Sequence, residues 1–211
     1  MAGASAPPAR DAGVRRVTSA SAFPVAVVII GAGAGTRFGE PKAFAELHTG
    51  RTFLEVIAET ARDASAQPIV AVLPPREGTK ETDEVTRGLT VVRNVNAKSE
   101  QIVSVRLGLT ALVSKPTVGA LLWPVDHPFP TLQTVLVIID AAKRTGAPFV
   151  VPTFDGKRGH PLFAHRDTWR ELLTVADGGA RAVVRSYGDR VVEVAVRDPG
   201  ILRNVDTREQ L

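Results

Sequence analysis

Short apolar runs alternate with amphipathic stretches along most of this chain. Val25 to Ile29, Pro68 to Leu73, Leu89 to Arg93 and Val118 to Pro124 are rich in β-branched residues and bounded by turn formers, so they read as buried strands. Between them, Thr52 to Ala64 places Leu54, Ile57, Ala58 and Ala61 at helical spacing. Ile102, Val105, Leu109 and Leu112 mark a second helix, with Ser99 as its candidate cap, and Pro130 to Thr145 marks a third. Glu77 to Thr86 is polar and a weaker helical candidate. The pattern continues with strands at Phe149 to Pro152, Leu162–Phe163 and Arg190 to Val196, and helices at Arg166 to Val175 and Gly179 to Tyr187. Such alternation predicts an α/β fold: a mostly parallel, Rossmann-like sheet with helices on both faces. Ligands in such sheets bind beyond the carboxyl ends of the strands. Arg37 and Lys42 follow the first strand, Asn94 the third, and Asp126 with His127 the fourth, so these residues are expected to share one crevice.

The 211 residues, 44% hydrophobic, suffice for a sizeable core. Residues 1–22, rich in Ala, Ser, Pro and Arg, are expected to be a disordered leader, and 23–211 a single domain. The pair Arg15–Arg16 before an apolar run superficially suggests a signal peptide. That run lacks leucine and ends in Gly35-Thr36-Arg37 rather than at a small-residue cleavage site. No apolar stretch approaches the ~18 residues of a membrane span, so a cytoplasmic protein is expected.

Lys plus Arg exceed Asp plus Glu by 26 to 22, a mildly basic balance suited to a polyanionic small molecule. With 5% aromatics and no Lys/Arg block, a nucleic-acid partner is not expected. The absence of cysteine excludes disulfides, thiolate metal sites and cysteine nucleophiles.

Chemistry is concentrated in Ile30-Gly31-Ala32-Gly33-Ala34-Gly35-Thr36-Arg37-Phe38-Gly39-Glu40-Pro41-Lys42, directly after the first strand. Glycine-rich backbone can wrap closely around phosphate oxygens, and Arg37 and Lys42 supply compensating charge. A dinucleotide fingerprint fails in both registers, since its last glycine would be Thr36 or Phe38. A Walker loop fails because Lys42 lies between Pro41 and Ala43.

The stretch instead resembles the signature Leu-Ala-Ala-Gly-x-Gly-x-Arg-Met-Gly-x-x-Lys of the nucleotidyltransferases that build nucleoside-diphosphate sugars and molybdenum cofactor dinucleotides. Within them it looks most like the branch of molybdenum cofactor cytidylyltransferase and MobA-like NTP transferases. Later segments agree in order: Ser104-Val105-Arg106-Leu107-Gly108 resembles Ser-Leu-Arg-Ala-Gly, Asp126-His127-Pro128 resembles Asp-Gln-Pro, and Gly159-His160-Pro161 matches Gly-His-Pro. Asp177-Gly178-Gly179-Ala180-Arg181 is similar to Gly-Asp-x-Gly-Ala-Arg, and Val205-Asp206-Thr207 to Ile-Asp-Thr-Pro. Gly31, Phe38, Glu100, Gln101, His127 and Arg208 depart from the pattern and bear mainly on substrate identity.

The resemblance implies a glycosyltransferase-A-like nucleotidyltransferase fold and Mg²⁺-dependent attack by an acceptor phosphate on the α-phosphorus of a nucleoside triphosphate. Alignment and charge neutralisation dominate such a step. Ile30, Gly31, Ala32, Gly33, Gly35, Asn94 and Ser104 would bind the nucleotide, Arg37 the departing pyrophosphate and Lys42 the α-phosphate. Asp126, after an apolar strand, is the first metal candidate and Asp206 the second, whose alternative is a turn or cap. His127, Gly159, His160 and Pro161 would meet the acceptor, a phosphorylated small molecule with molybdopterin among the candidates. Ala32, where guanylyl-transferring relatives carry Gly, favours CTP. His48 and His165 read as surface residues and Trp123 and Trp169 as packing. A sugar-phosphate nucleotidyltransferase and a non-catalytic nucleotide-binding module are the alternatives.

Overall fold

The computed structural model describes residues 23–33, 39–77, 79–96 and 100–210. The expected leader, Gly35, Arg37 and the candidate cap Ser99 lie outside the described residues.

Eight strands form one mixed, mostly parallel sheet: β1 (Val25–Ile30), β2 (Ile69–Leu73), β3 (Thr90–Arg93), β4 (Gly119–Pro124), β5 (Phe149–Phe154), β6 (Lys157–Arg158), β7 (Leu162–His165) and β8 (Val191–Ala195). The order is β3-β2-β1-β4-β7-β5-β6, with β8 also pairing with β5. β1 through β4 pair in parallel, as do β5 and β8, while β7 runs antiparallel to β4 and β5. The chain moves outward from β1 to β3 and then returns to β1's other edge as β4. The switch point between β1 and β4 is where this class of sheet opens a ligand crevice.

The all-apolar strands follow from burial on both faces. Val25, Val27 and Ile29 pack toward α1 (Phe53–Asp63) and α3 (Leu132–Thr145). Ala26 and Val28 pack toward α2 (Gln101–Leu112), α4 (Trp169–Thr174) and α5 (Gly179–Ser186). Each fully buried Val, Leu or Ile contributes about 1.5–3 kcal/mol. Trp123 and Trp169 are both in this core. Thr52 and Glu55 form a reciprocal capping box that starts α1, and Thr131 caps α3.

Two expectations need correction. Glu77 to Thr86 forms turns rather than a helix among its described residues. It has too few apolar side chains to bury a helical face, and Arg93 pins it by donating to both carboxylate oxygens of Glu81 at 2.6 and 2.5 Å. His165 is half-buried rather than on the surface, and its Nδ1 accepts from the Asp167 N–H at 3.3 Å. Among the described residues no helix is long and apolar enough to cross a membrane.

Candidate active site

The crevice begins where β1 ends. Gly31 donates its N–H to the Val72 carbonyl at 2.8 Å, and a Cβ there would stand 3.1 Å from Leu73 Cδ2, so the turn hugs β2. Ala32 is buried on the α2 side of the sheet. Gly33 is exposed, and an added Cβ would meet nothing within 4 Å among the described residues. Past Gly39 (φ +84°), which a larger residue would strain, Lys42–Phe44 forms a short 3-10 turn. Ala43 and Phe44 are buried, which anchors the turn and leaves Lys42 to reach into the crevice.

Lys42 Nζ lies 2.6 Å from Asp206 Oδ1 and 3.4 Å from Asp126 Oδ2. Asp126 is carried just past β4, next to β1 because Val125 donates to the Ile30 carbonyl at 3.0 Å. Its other oxygen, Oδ1, is 2.9 Å from His127 Nδ1. Burial raises the Asp126 pKa, but the His127 hydrogen bond and the charges of His127 and Lys42 outweigh it and hold the carboxyl below its usual value. Trp123 Nε1 donates to the His127 carbonyl at 2.8 Å and fixes the loop from below.

Gly159-His160-Pro161 interrupts an antiparallel ladder. Thr153 pairs with Arg158 and Val150 with Phe163, so three steps along β5 answer five on the other side. The two extra residues bulge out of the sheet. There the rings of His160 and His127 meet edge-on at 4.8 Å. Burial, then the charge of His127, lower the His160 pKa to about 4; Asp126 opposes this and Arg181 adds to it. His160 Nδ1 is shut off from solvent and has no hydrogen-bond partner among the described residues.

The segment from Asp198 to Gln210 gathers these pieces. His160 donates its N–H to the Ile201 carbonyl at 3.0 Å, and Val205 donates to the Asp126 carbonyl at 2.9 Å. Asp206 bonds Lys42 and accepts from Asn204 Nδ2 at 2.7 Å. Arg208 donates to Glu40 Oε1 at 2.5 Å, and Lys80 Nζ lies 3.0 Å from Glu40 Oε2. Asp198, which sequence reasoning missed, accepts from the Thr131 N–H at 2.8 Å, the Thr134 hydroxyl at 2.6 Å and the Gly200 N–H at 2.9 Å. Its Asp-Pro-Gly sequence was the available signal, because aspartate before a turn bonds the backbone ahead of it. Glu40, also missed, had none beyond its place beside the motif lysine.

The structure thus brings Gly31, Ala32, Lys42, Asp126, His127, His160 and Asp206 to one end of the sheet. Asn94 follows β3 and Ser104 lies in α2. Both are buried, and Asn94 Nδ2 donates to Ser104 Oγ at 3.2 Å, which ties the turn after β3 to α2. Glu100 and Gln101 at the start of α2 are exposed, and Glu100 caps the helix without a side-chain bond. Among the described residues no group of three or more His, Asp or Glu side chains is placed to hold a metal by itself. Asp126 and Asp206 nevertheless share one cation, the Lys42 ammonium. Two carboxylates facing one positive charge fit a hard divalent ion that takes its remaining ligands from phosphate and water.

The family model of the MobA-like NTP transferase domain matches residues 27–191. The chain belongs to this family. No curated protein matches the chain. Among solved structures, Rv0371c from Mycobacterium tuberculosis is 26% identical over 89% of this chain and 95% of its own, with a TM-score of 0.70. A nucleotidyl transferase from Methanothermobacter is 23% identical over 90% and 94%, with a TM-score of 0.73. The 2-C-methyl-D-erythritol 4-phosphate cytidylyltransferase of Thermus thermophilus is 22% identical over 85% and 92%, with a TM-score of 0.63. The chain therefore has the nucleotidyltransferase fold and is a MobA-like nucleotidyltransferase. The segment that ties Lys42, Asp126 and His160 together, Asp198 to Gln210, lies beyond the family match.

Proposed function

We propose that this enzyme transfers a nucleoside monophosphate from a nucleoside triphosphate, CTP in preference, to a phosphorylated small-molecule acceptor, with Mg²⁺ held by Asp126 and Asp206. The observation that carries this reading is the Lys42 ammonium bridging those two carboxylates beside the end of β1. An oxygen of the acceptor phosphate bonds to the α-phosphorus, the bond from that phosphorus to the bridging oxygen breaks, and pyrophosphate leaves with the electron pair. In this reading Gly33 and Gly35 with the loop amides would cradle the β- and γ-phosphates, and Arg37 would serve the departing pyrophosphate and Lys42 the α-phosphate. Held by Asp126 and Asp206, a divalent ion would supply charge neutralisation at the reacting phosphates. With such an ion on the two carboxylates, Lys42 would be free to face the α-phosphate. No general base is required, because an acceptor phosphate is already ionised near neutral pH.

Support for a divalent ion comes also from a manganese complex of Rv0371c. The erythritol-phosphate cytidylyltransferase among the neighbours supports a cytidine nucleotide and a phosphorylated acceptor. Molybdopterin remains the acceptor suggested by the motif resemblance, with sugar 1-phosphates as its rivals.

The test is pyrophosphate release from each of the four triphosphates, with Mg²⁺ or Mn²⁺, in the presence of molybdopterin, methylerythritol 4-phosphate or sugar 1-phosphates. Release with CTP and a phosphate-bearing acceptor is expected. Tight nucleotide binding without release from any combination would establish the binding-module alternative instead.

A further inference from the structure

Two ion pairs join the loop after β1 to the end of the chain, and their charges are matched in order. Lys42 faces Asp206 at 2.6 Å, and two residues away in each segment Glu40 accepts from Arg208 at 2.5 Å. The loop presents an anion and then a cation, and the C-terminal segment answers with a cation and an anion. The outer pair has a third member. The Glu40 side chain is only 13% exposed, and its second oxygen, closed to solvent, faces Lys80 Nζ at 3.0 Å. Burying a carboxylate is costly unless cations compensate it. Here two do, one from the segment between β2 and β3 and one from the end of the chain.

The turn that carries Asp206 is also held from within. Gln210 Oε1 accepts from the Asp206 N–H at 2.6 Å and the Thr207 N–H at 3.0 Å, and Arg203 donates to the Gln210 carbonyl at 3.2 Å. On the near side, Val205 donates to the Asp126 carbonyl at 2.9 Å. Asp206 therefore lies between two anchors, the Val205 bond before it and the Arg208–Glu40 pair after it.

We propose that Arg208 is a positioning residue: through Glu40 it holds the Asp206 carboxylate at the crevice when a divalent ion takes the place of Lys42 there. This inference rests on the metal reading of Asp126 and Asp206 above. Lys42 is a poor tether in that state, because two cations on one carboxylate repel each other. The outer pair contains neither a proposed metal ligand nor a proposed phosphate-binding cation, so it stays closed while the inner pair opens. Chain ends fray unless they are tied down. A carboxylate on a frayed segment gives up that freedom each time it binds the ion, whereas one already in place does not, and the ion is held more tightly. Arg208 stands where the resembled signature carries Pro. A ring that fixes φ is exchanged for a side chain that fixes the turn from outside.

The sign of the effect separates positioning from plain electrostatics. Arg208 is a cation two residues from Asp206, so its charge alone opposes a divalent ion, and its removal would tighten binding. Positioning predicts the reverse. The Arg208 side chain is 61% exposed, and ion pairs reaching into water add little to stability. Lys80 still compensates Glu40 when Arg208 is gone. Arg208→Ala therefore keeps the fold, which a thermal melt checks, and Arg208→Gln takes its place in the comparison if it does not.

The experiment titrates Mn²⁺ into the full chain, with α,β-methylene CTP held below the protein concentration so that little nucleotide is free, and reads the unbound ion by its paramagnetic resonance signal. The parent is expected to bind the ion, and Asp206→Ala to bind it at least tenfold more weakly. Arg208→Ala is expected to weaken binding about tenfold, the scale on which groups that orient a metal ligand act. Arg208→Lys, which returns a cation to Glu40, should recover most of that loss. In the Asp206→Ala background, Arg208→Ala should change nothing further, because it acts through that carboxylate. Unchanged or tighter binding in Arg208→Ala, or an equal loss with Asp206 already removed, overturns the inference and leaves the metal reading standing. If Asp206→Ala binds the ion as the parent does, or the parent binds none, Asp206 is not a ligand, and the metal reading and the inference fall together.

Discussion

Lys42 and Asp206 are 164 residues apart in sequence, yet Lys42 Nζ and Asp206 Oδ1 lie 2.6 Å apart. This contact closes the last segment of the chain onto the loop after the first strand. It also places a single positive charge where two carboxylates converge, because Asp126 is on the same ammonium.

Asp126→Ala and Asp206→Ala should each cut pyrophosphate release at least a hundredfold, the first more severely, and weaken Mn²⁺ binding measured by titration. Stability should change little. Both carboxylates are partly solvated, and ion pairs in that setting are worth about 1 kcal/mol or less. Near-parental turnover in Asp126→Ala would remove it from the metal site.

Gly159→Ala tests how the bulge proposed to meet the acceptor is held. A Cβ at residue 159 would stand 2.5 Å from the Ile201 carbonyl and 2.7 Å from Ile201 Cβ, with no flexible side-chain end to move aside. The bulge and the C-terminal segment must separate, at a cost of about 1–3 kcal/mol. Urea denaturation should show that loss, and kinetics should show a raised KM for the acceptor with the triphosphate KM little changed.

Asp198→Ala leaves the Thr131 N–H, the Thr134 hydroxyl and the Gly200 N–H without their common acceptor in a buried setting. The loss is expected to be about 3 kcal/mol, since buried bonds to a charged group are the costly ones to break. Asp198→Asn, which keeps one acceptor oxygen, should recover part of it. Denaturant midpoints that match the parent would contradict this account.

Acidification should destabilise the fold through His160. Its imidazole stays neutral in the folded protein, with a pKa lowered to about 4 from 6.5. Between those values the unfolded chain binds the extra proton, so stability falls as pH drops through this window and is flat above it. The loss between pH 7 and pH 5 is about 2 kcal/mol by the same linkage. The carboxyls of Asp126 and Asp198, also lowered, act in the same direction but only below about pH 4. Denaturation curves at pH 7 and pH 5 check this, and the difference should shrink in His160→Gln.

Periodicity located nearly every strand and helix, because α1 and α3 on one face and α2 on the other had to present apolar stripes to a sheet buried on both faces. β6 escaped notice because Lys157–Arg158 is two exposed polar residues defined only by its partner β5. Glu77 to Thr86 misled because polar composition permits a helix without demanding one. Its conformation depends on Glu81 finding Arg93. The 3-10 turn at Lys42–Phe44 was hidden in the same way, since it exists to bury Ala43 and Phe44 beneath the crevice.

By itself the sequence determined the kind of chain this is. Apolar runs of fixed length, a glycine loop after the first of them and cations at set offsets are local properties, and they sufficed to point to a nucleotidyltransferase sheet. The tertiary structure decided which charges meet. That Asp126 would offer an oxygen to Lys42, that Asp206 would reach the same ammonium, and that Asp198 would accept from Thr131 and Thr134 depend on contacts between residues far apart in the chain. Local pattern carries no record of such pairings, because they are selected by the burial and neutralisation of groups that only the folded chain brings together.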